Sequence, residues 1–176
     1  GFDATDIVVT GGTLSGLTSS GLTRTATFTP TDGIEGTSAS ITIASGTYTD
    51  AAGNNGGAGT TPSISIDTKA PTVAITSDKT ALKAGQTANI TFTFSEDPGN
   101  TFEWNGTTGD LTLSNGTLGA INGTGVTRTA VWTPSPQVNA GTAGIAVSAG
   151  AYQDAAGNNG SAGETPSITL DALAPT

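Results

Sequence analysis

Tyr152-Gln153-Asp154-Ala155-Ala156-Gly157-Asn158-Asn159-Gly160 has a twin in the same chain, Tyr48-Thr49-Asp50-Ala51-Ala52-Gly53-Asn54-Asn55-Gly56. Each copy runs on through a Gly/Ala/Thr-rich passage to Thr-Pro-Ser-Ile, and then to an Asp that precedes Ala-Pro-Thr. The twins stand 104 positions apart, and the same offset relates Arg24 to Arg128, Pro30 to Pro134 and Asp6 to Asp110. From residue 6 onward the two copies align without a gap, with about half of the positions identical. A period near one hundred residues is too long for a solenoid unit and fits a tandem array of small domains.

Outward from these twins, the composition selects the fold class. The chain has 26 Gly, 5% aromatic and 11% charged residues, with Thr, Ser and Ala abundant. Helix drive is weak and turn positions are many. Short Val/Ile/Thr/Phe runs broken by Gly, Asn, Asp and Pro predict an all-β chain. A net charge of −9 with only five basic residues argues against nucleic acid or an anionic membrane surface as partner. No apolar run reaches membrane-spanning length, and no signal-peptide pattern is present. The absence of Met marks the sequence as a portion of a gene product. Without Cys there is no disulfide framework; without His or Cys, a transition-metal site and the commonest general base are both missing.

Residues 1–67 read as the later part of one domain. Strands are expected at Asp6–Thr10, Leu22–Thr29, Ala39–Ala44 and Pro62–Ile66, with a fifth at Thr13–Thr18. Thr23, Thr25, Thr27 and Thr29 alternate with Leu22, Arg24, Ala26 and Phe28, the period of a half-buried antiparallel strand. Arg24 falls on the apolar side, near a strand end from which it snorkels outward. Residues 68–72 form a linker made extended and stiff by Pro71.

Residues 73–171 form one complete repeat, and 172–176 begin the next linker. Strands are expected at Val73–Ser77, Ala88–Ser95, Asp110–Ser114, Val126–Thr133, Gly144–Ser148 and Pro166–Leu170, with a short edge strand at Thr117–Ile121. Seven short alternating strands predict an immunoglobulin-like β-sandwich, without the Cys…Trp…Cys signature of antibody domains. Trp132 replaces Phe28 at an inward position. Against this repeat, the first copy lacks strands A and B and starts near the counterpart of Phe102, its loop about four residues shorter. A fragment is the preferred reading, with strands swapped in from another copy as the alternative.

The usual path through such a sandwich brings the start of strand A, the B–C loop and the F–G loop to one pole. Asp67 then stands beside Glu96 and Asp97 and beside Asp154 and Asn158, with Asp50 and Asn54 as counterparts in the first copy. Lys69 is the only cation nearby in sequence, so the cluster would repel itself unless a hard cation joined it. Calcium, which takes six to eight oxygens in loose geometry, is the expected ion. The bland alternative is that Asp and Asn serve their own turns. Other motifs are weaker. The threonine run resembles ice-binding surfaces but is explained by a solvent-facing strand. Asn105-Gly-Thr, Asn115-Gly-Thr and Asn122-Gly-Thr are formal glycosylation sequons, here read as turns. Glu96 and Asp97 are neighbours in sequence with no other active-site feature, so no enzyme is expected.

Ala70-Pro-Thr-Val-Ala-Ile-Thr-Ser-Asp-Lys-Thr-Ala-Leu-Lys-Ala-Gly85, Ile90-Thr-Phe-Thr-Phe-Ser-Glu-Asp97, Arg128-Thr-Ala-Val-Trp-Thr-Pro134 and the Tyr152 motif together carry a resemblance. With them, essentially the whole chain resembles the bacterial Ig-like repeats of giant biofilm-associated and RTX-type surface adhesins exported by type I secretion. The resemblance implies an extracellular, non-enzymatic spacer, repeated along a fibre and rigidified by calcium at domain junctions, with neighbouring repeats as partners and any glycan or cell-surface ligand held by other domains. It assigns the metal role to Asp67, Glu96, Asp97, Asp154 and Asn158, and to Asp50 and Asn54. The first copy lacks the Ser-Glu-Asp segment, which weakens the assignment there. The rival reading is a glycan- or protein-binding module gripping its ligand with Phe102 and Trp104 of the 96–109 loop; a surface-layer or filament subunit is a third.

Overall fold

A computed structural model describes residues 1–61, 63–163 and 166–173. The chain divides into two compact units, Gly1–Lys69 and Ala70–Thr176. Among the described residues, every regular element apart from one 3-10 turn at Ala4–Asp6 is a β-strand.

In the first unit these are β1 (Ile7–Thr10), β2 (Gly12–Ser20), β3 (Thr23–Pro30), β4 (Thr37–Ile43), β5 (Gly59–Thr60) and β6 (Ile64–Ile66). β4 pairs antiparallel with β1, β5 and β6. β2 and β3 form a hairpin with an irregularity between Ser15 and Thr18. β2 is longer than the Thr13–Thr18 segment legible in sequence. The expected strand start at Pro62 lies outside the described residues, as do residues 174–176 of the expected terminal linker.

The second unit contains β7 (Val73–Ser77), β8 (Ala81–Lys83), β9 (Ala88–Phe94), β10 (Leu111–Ser114), β11 (Gly116–Leu118), β12 (Thr127–Pro134), β13 (Gly141–Thr142), β14 (Gly144–Val147) and β15 (Thr169–Asp171). One antiparallel sheet has the order β11-β12-β9-β7; opposite it stand the pair β10-β14 and the group β13-β15-β8, in which β15 and β8 run parallel. This is the two-layer immunoglobulin-like sandwich, with β7, β9, β10, β12, β14 and β15 serving as strands A, B, C, E, F and G.

Period-two patterning builds the core. Exposure alternates residue by residue along β12 and nearly so along β9. Their inward residues Ile90, Phe92 and Trp132 meet Ile145 and Val147 of β14 in one buried cluster. Each large apolar side chain so buried contributes about 1.5–3 kcal/mol. The matching strand of the first unit behaves differently: on β3 every residue but the half-buried Phe28 is exposed. Among the described residues, the first unit has no counterpart of β7 and β9.

Candidate functional site

The twin motifs fold alike. Asp154 Oδ1 accepts the backbone N–H groups of Ala156 and Asn158 at 2.9 Å each, and Oδ2 accepts the Asn158 side-chain amide at 2.9 Å. Asp50 makes the same three bonds, to Ala52, Asn54 and the Asn54 amide, each at 2.9 Å. The turn closes through Gly157 at φ +90° and Gly53 at φ +87°, a left-handed conformation that favours glycine. The second glycine of each motif has another duty. Gly160 lies against the ring of Tyr152, and Gly56 against that of Tyr48, so closely that a Cβ would collide with the ring.

These bonds set the charge state. Burial pushes the Asp154 carboxyl up, but the amide of Asn158 and the surrounding backbone N–H groups outweigh it and hold the group below its ordinary value. Asp50 is held low by the Asn54 amide first and the backbone second. The motif thus presents an ionised carboxylate on a rigid turn, buried in the second unit and exposed in the first.

The tyrosine roots each turn in its unit. Tyr152 is 1% exposed and packs edge-on to Phe94 and Phe102, with centroid separations of 5.1 and 6.0 Å. In the first unit Phe2 meets Tyr48 edge-on at 5.4 Å, taking the part of Phe102. Asp3 and Asp6 likewise repeat Glu103 and Asp110: in each pair the second residue's Oδ2 accepts the first residue's N–H, at 2.8 and 2.6 Å.

The B–C loop, residues 95–110, supplies the other candidates. Glu96 is half-buried, and one of its carboxylate oxygens lies within 4.8 Å of one of Asp154's. Asp97 has a different partner. Its Oδ1 accepts Arg128 Nη2 at 3.1 Å and the Gly99 N–H at 2.9 Å. Arg128, almost wholly buried, also donates to the carbonyls of Gly99 and Gly125. Asp97 Oδ1 thereby holds the loop onto β12 through Arg128, a partner 31 positions away in the sequence. Thr101 completes the lock: its Oγ1 accepts the Gln153 N–H at 2.9 Å, tying the B–C loop to the F–G turn.

Phe102 and Trp104 are not a ligand platform. Phe102 is 3% exposed, packed between Phe94 and Phe92, and Trp104 is 9% exposed with its indole N–H donating to the Leu118 carbonyl. Both rings are buried in the sandwich because the loop folds back over the open end of the core. Asn105 and Asn115 act as turn residues: Asn105 Oδ1 accepts the N–H groups of Thr107 and Thr108, and Asn115 sits at φ +65°.

Asp67 is half-buried at the end of the first unit, and Lys69 pairs with Glu35 of that unit at 2.5 Å. That pairing is not legible in the sequence, because Glu35 lies 34 positions upstream of Lys69.

The bacterial Ig-like domain family matches this chain twice, over residues 1–66 and over residues 67–170. The chain belongs to the bacterial Ig-like domain family. Comparison with curated proteins and with solved structures returned no match. Bacterial Ig-like domains are structural modules that typically occur in extracellular and surface proteins, and here two stand in tandem. No described helix is long and apolar enough to cross a membrane. As a metal donor set, the acidic residues of the second domain are hard carboxylate and amide oxygens, the chemistry calcium prefers. Asp154, ionised and rigidly held with one side-chain oxygen close to Glu96, fits that ion; the Oδ1 of Asp97 is shared with Arg128.

Proposed function

We propose that this chain is an extender segment of a long extracellular bacterial surface protein, a spacer that carries a distal domain away from the cell. The observation behind this reading is contiguity: the second family match starts at residue 67, immediately after the first ends at 66, so the repeats follow one another with no inserted segment. The burial of Phe102 and Trp104 in the core agrees with a spacer and leaves the rival binding loop without its aromatic platform.

Calcium at the junction is part of the proposal. Its donors would be Glu96 and Asp154, with Asn158 beside them and Asp67 supplied from four residues upstream of Pro71; in the first repeat Asp50 and Asn54 would contribute, without a Glu96 counterpart. A bound calcium ion would neutralise the facing carboxylates and tie the incoming segment to the B–C and F–G loops. Linkage to an ion that binds only the folded site contributes about 2.7 kcal/mol at one hundred times the dissociation constant, and less at the millimolar affinities usual for extracellular modules.

Thermal unfolding of residues 1–176 with calcium and then with chelator tests the idea. Calcium should raise the midpoint, and Glu96→Gln should remove that rise while leaving the chelated midpoint close to its original value. An unchanged midpoint, with unchanged flexibility in small-angle scattering, would remove calcium from the account.

A further inference from the structure

Five Asn-Gly dipeptides occur in this chain, at Asn55, Asn105, Asn115, Asn122 and Asn159. Asn-Gly is the pair most prone to lose its side-chain amide, because a glycine nitrogen reaches the asparagine Cγ without a Cβ in the way. Two things must happen first. The glycine N–H must give up its proton, and the side chain must turn until Cγ stands over that nitrogen. A fold that holds either group slows the reaction, by up to about tenfold for each ordinary hydrogen bond that must break.

Four of the five are held. Asn55 and Asn159 precede glycines whose N–H groups donate to the carbonyls of Tyr48 and Tyr152, both at 2.8 Å. Asn105 is fixed at both ends of its amide: Oδ1 accepts the Thr107 and Thr108 N–H groups at 2.9 Å, and Nδ2 donates to Thr108 Oγ1 at 3.0 Å. Asn115 Nδ2 donates to the Thr142 carbonyl at 2.8 Å, and Gly116 lies on β11 opposite Pro134, against the Trp132 ring.

Asn122 stands apart. It is exposed between β11 and β12, and its side chain makes one bond among the described residues, from Nδ2 to the Ala120 carbonyl at 3.1 Å. Gly123 is exposed too, and its N–H has no acceptor among the described residues. The turn needs glycine here: φ is +100°, and a Cβ would lie 2.9 Å from the Thr127 carbonyl oxygen. The main chain of Asn122 is firmly placed all the same. Its N–H donates to Thr129 of β12 at 2.8 Å, and its carbonyl accepts the Thr129 N–H at 2.9 Å.

We propose that Asn122-Gly123 is a site of spontaneous backbone modification, the first Asn-Gly of the folded chain to deamidate. The Gly123 nitrogen forms a bond to Asn122 Cγ and the Cγ–Nδ2 bond breaks. Nδ2 leaves as ammonia, taking the Gly123 N–H proton, and a five-membered succinimide remains. Water then opens the ring. Addition at Cγ gives aspartate, and addition at the main-chain carbonyl gives isoaspartate; nothing is oxidised or reduced. Either product adds one negative charge. Isoaspartate also adds one carbon to the main chain, which breaks the paired bonds to Thr129. The first repeat has Thr18 at the equivalent position and lacks the site.

The test follows deamidation of the full chain in mildly alkaline buffer, folded and, in parallel, unfolded in urea. Mass-spectrometric sequencing of a digest locates each event and separates aspartate from isoaspartate. In urea the five sites should react at comparable rates, since they share one dipeptide. In the folded chain Asn122 should lead each of the other four by about tenfold or more. Asn122→Gln, whose longer side chain closes a six-membered ring far less readily, should abolish the leading event and leave the thermal midpoint in place. In aged chain the Thr129 amide should exchange its proton faster than in fresh chain. Another Asn-Gly reacting as fast as Asn122 in the folded chain would overturn the proposal. So would an Asn122 that the fold slows as much as the rest, or an unchanged Thr129 amide in deamidated chain.

Discussion

The hydroxyl of Tyr152 donates to the carbonyl of Pro71 at 3.1 Å, across 81 positions of the chain. The same carbonyl accepts the Ser161 N–H at 2.9 Å. A tyrosine of the repeated motif, buried to its hydroxyl, thereby fastens the first residues of the second domain to the F–G turn.

Removing that hydroxyl should destabilise the second domain modestly. Tyr152→Phe loses one buried hydrogen bond, about 1 kcal/mol, while Ser161 still satisfies Pro71. Burial pushes the Tyr152 hydroxyl up to about 12, above the value near 10 of an unfolded chain. The folded domain holds this proton more tightly, so the associated stability is complete below pH ~10 and is lost as pH rises through about 12. Urea unfolding from pH 9 to 12 should show a fall in the native protein that Tyr152→Phe lacks; identical slopes would contradict the assignment.

Acid should separate the carboxylates by role. Asp110 is raised, chiefly by burial, and Asp154 is lowered by its loop bonds. Carboxyl-detected NMR titration should show Asp110 protonating above the ordinary aspartate value and Asp154 below it. Stability contributed by Asp154 is present above the unfolded aspartate value and lost as pH falls through its own, lower one. Asp154→Ala should cost about 1–3 kcal/mol even with chelator present, because three donors lose their acceptor. A cost visible only with calcium would mean that the turn does not depend on that carboxylate.

The two arginines should behave as opposites. Arg128→Ala removes a buried guanidinium bonded to Asp97, Gly99 and Gly125, and should cost about 2–3 kcal/mol. Arg24→Ala, at the equivalent position but in the open, should stay within about 0.5 kcal/mol. Chemical denaturation of both variants decides this, and similar losses would place Arg24 in an environment other than the one described.

Trp132 lies over Gly116, where an added Cβ would approach Cζ2 to 2.5 Å and the Thr133 carbonyl to 2.5 Å. Gly116→Ala should therefore cost about 1–3 kcal/mol through overpacking. Trp132→Phe, which reproduces the Phe28 of the first repeat, should leave most of that loss in place in the double variant, because a Cβ at the equivalent Gly12 would still approach the Phe28 ring to 2.5 Å and collide with the Thr29 carbonyl. Recovery of most of the stability in the double variant, measured by thermal unfolding, would show that the Trp132 ring alone makes the clash.

The alternating strands were the legible part of this fold. Ile90, Phe92 and Phe94 announce β9, and the threonines between them announce its outer face. β8 was not legible, because Ala81-Leu82-Lys83 is too short to show a period and is held by β15, almost ninety residues downstream. Phe102 and Trp104 misled for a related reason. They sit in a polar, Gly-rich loop, and only the tertiary fold reveals that the loop returns over the core. Within the acidic cluster, sequence supplied the carboxylates but not their partners, so Asp97 and Asp154 looked alike until Arg128 and Asn158 distinguished them.

The parallel pairing of β8 with β15 has a mechanical consequence. β8 lies near the beginning of the second domain and β15 near its end, matched as Ala81 with Thr169, Leu82 with Leu170 and Lys83 with Asp171. Tension applied through the two ends pulls these strands along their own axes in opposite directions. The hydrogen bonds between them are then loaded together, in shear, and cannot be opened one after another as in a peeled hairpin. Tension from the N-terminal side reaches β8 only through β7, so the pair adds a second resistance, loaded in shear, to extension of the domain.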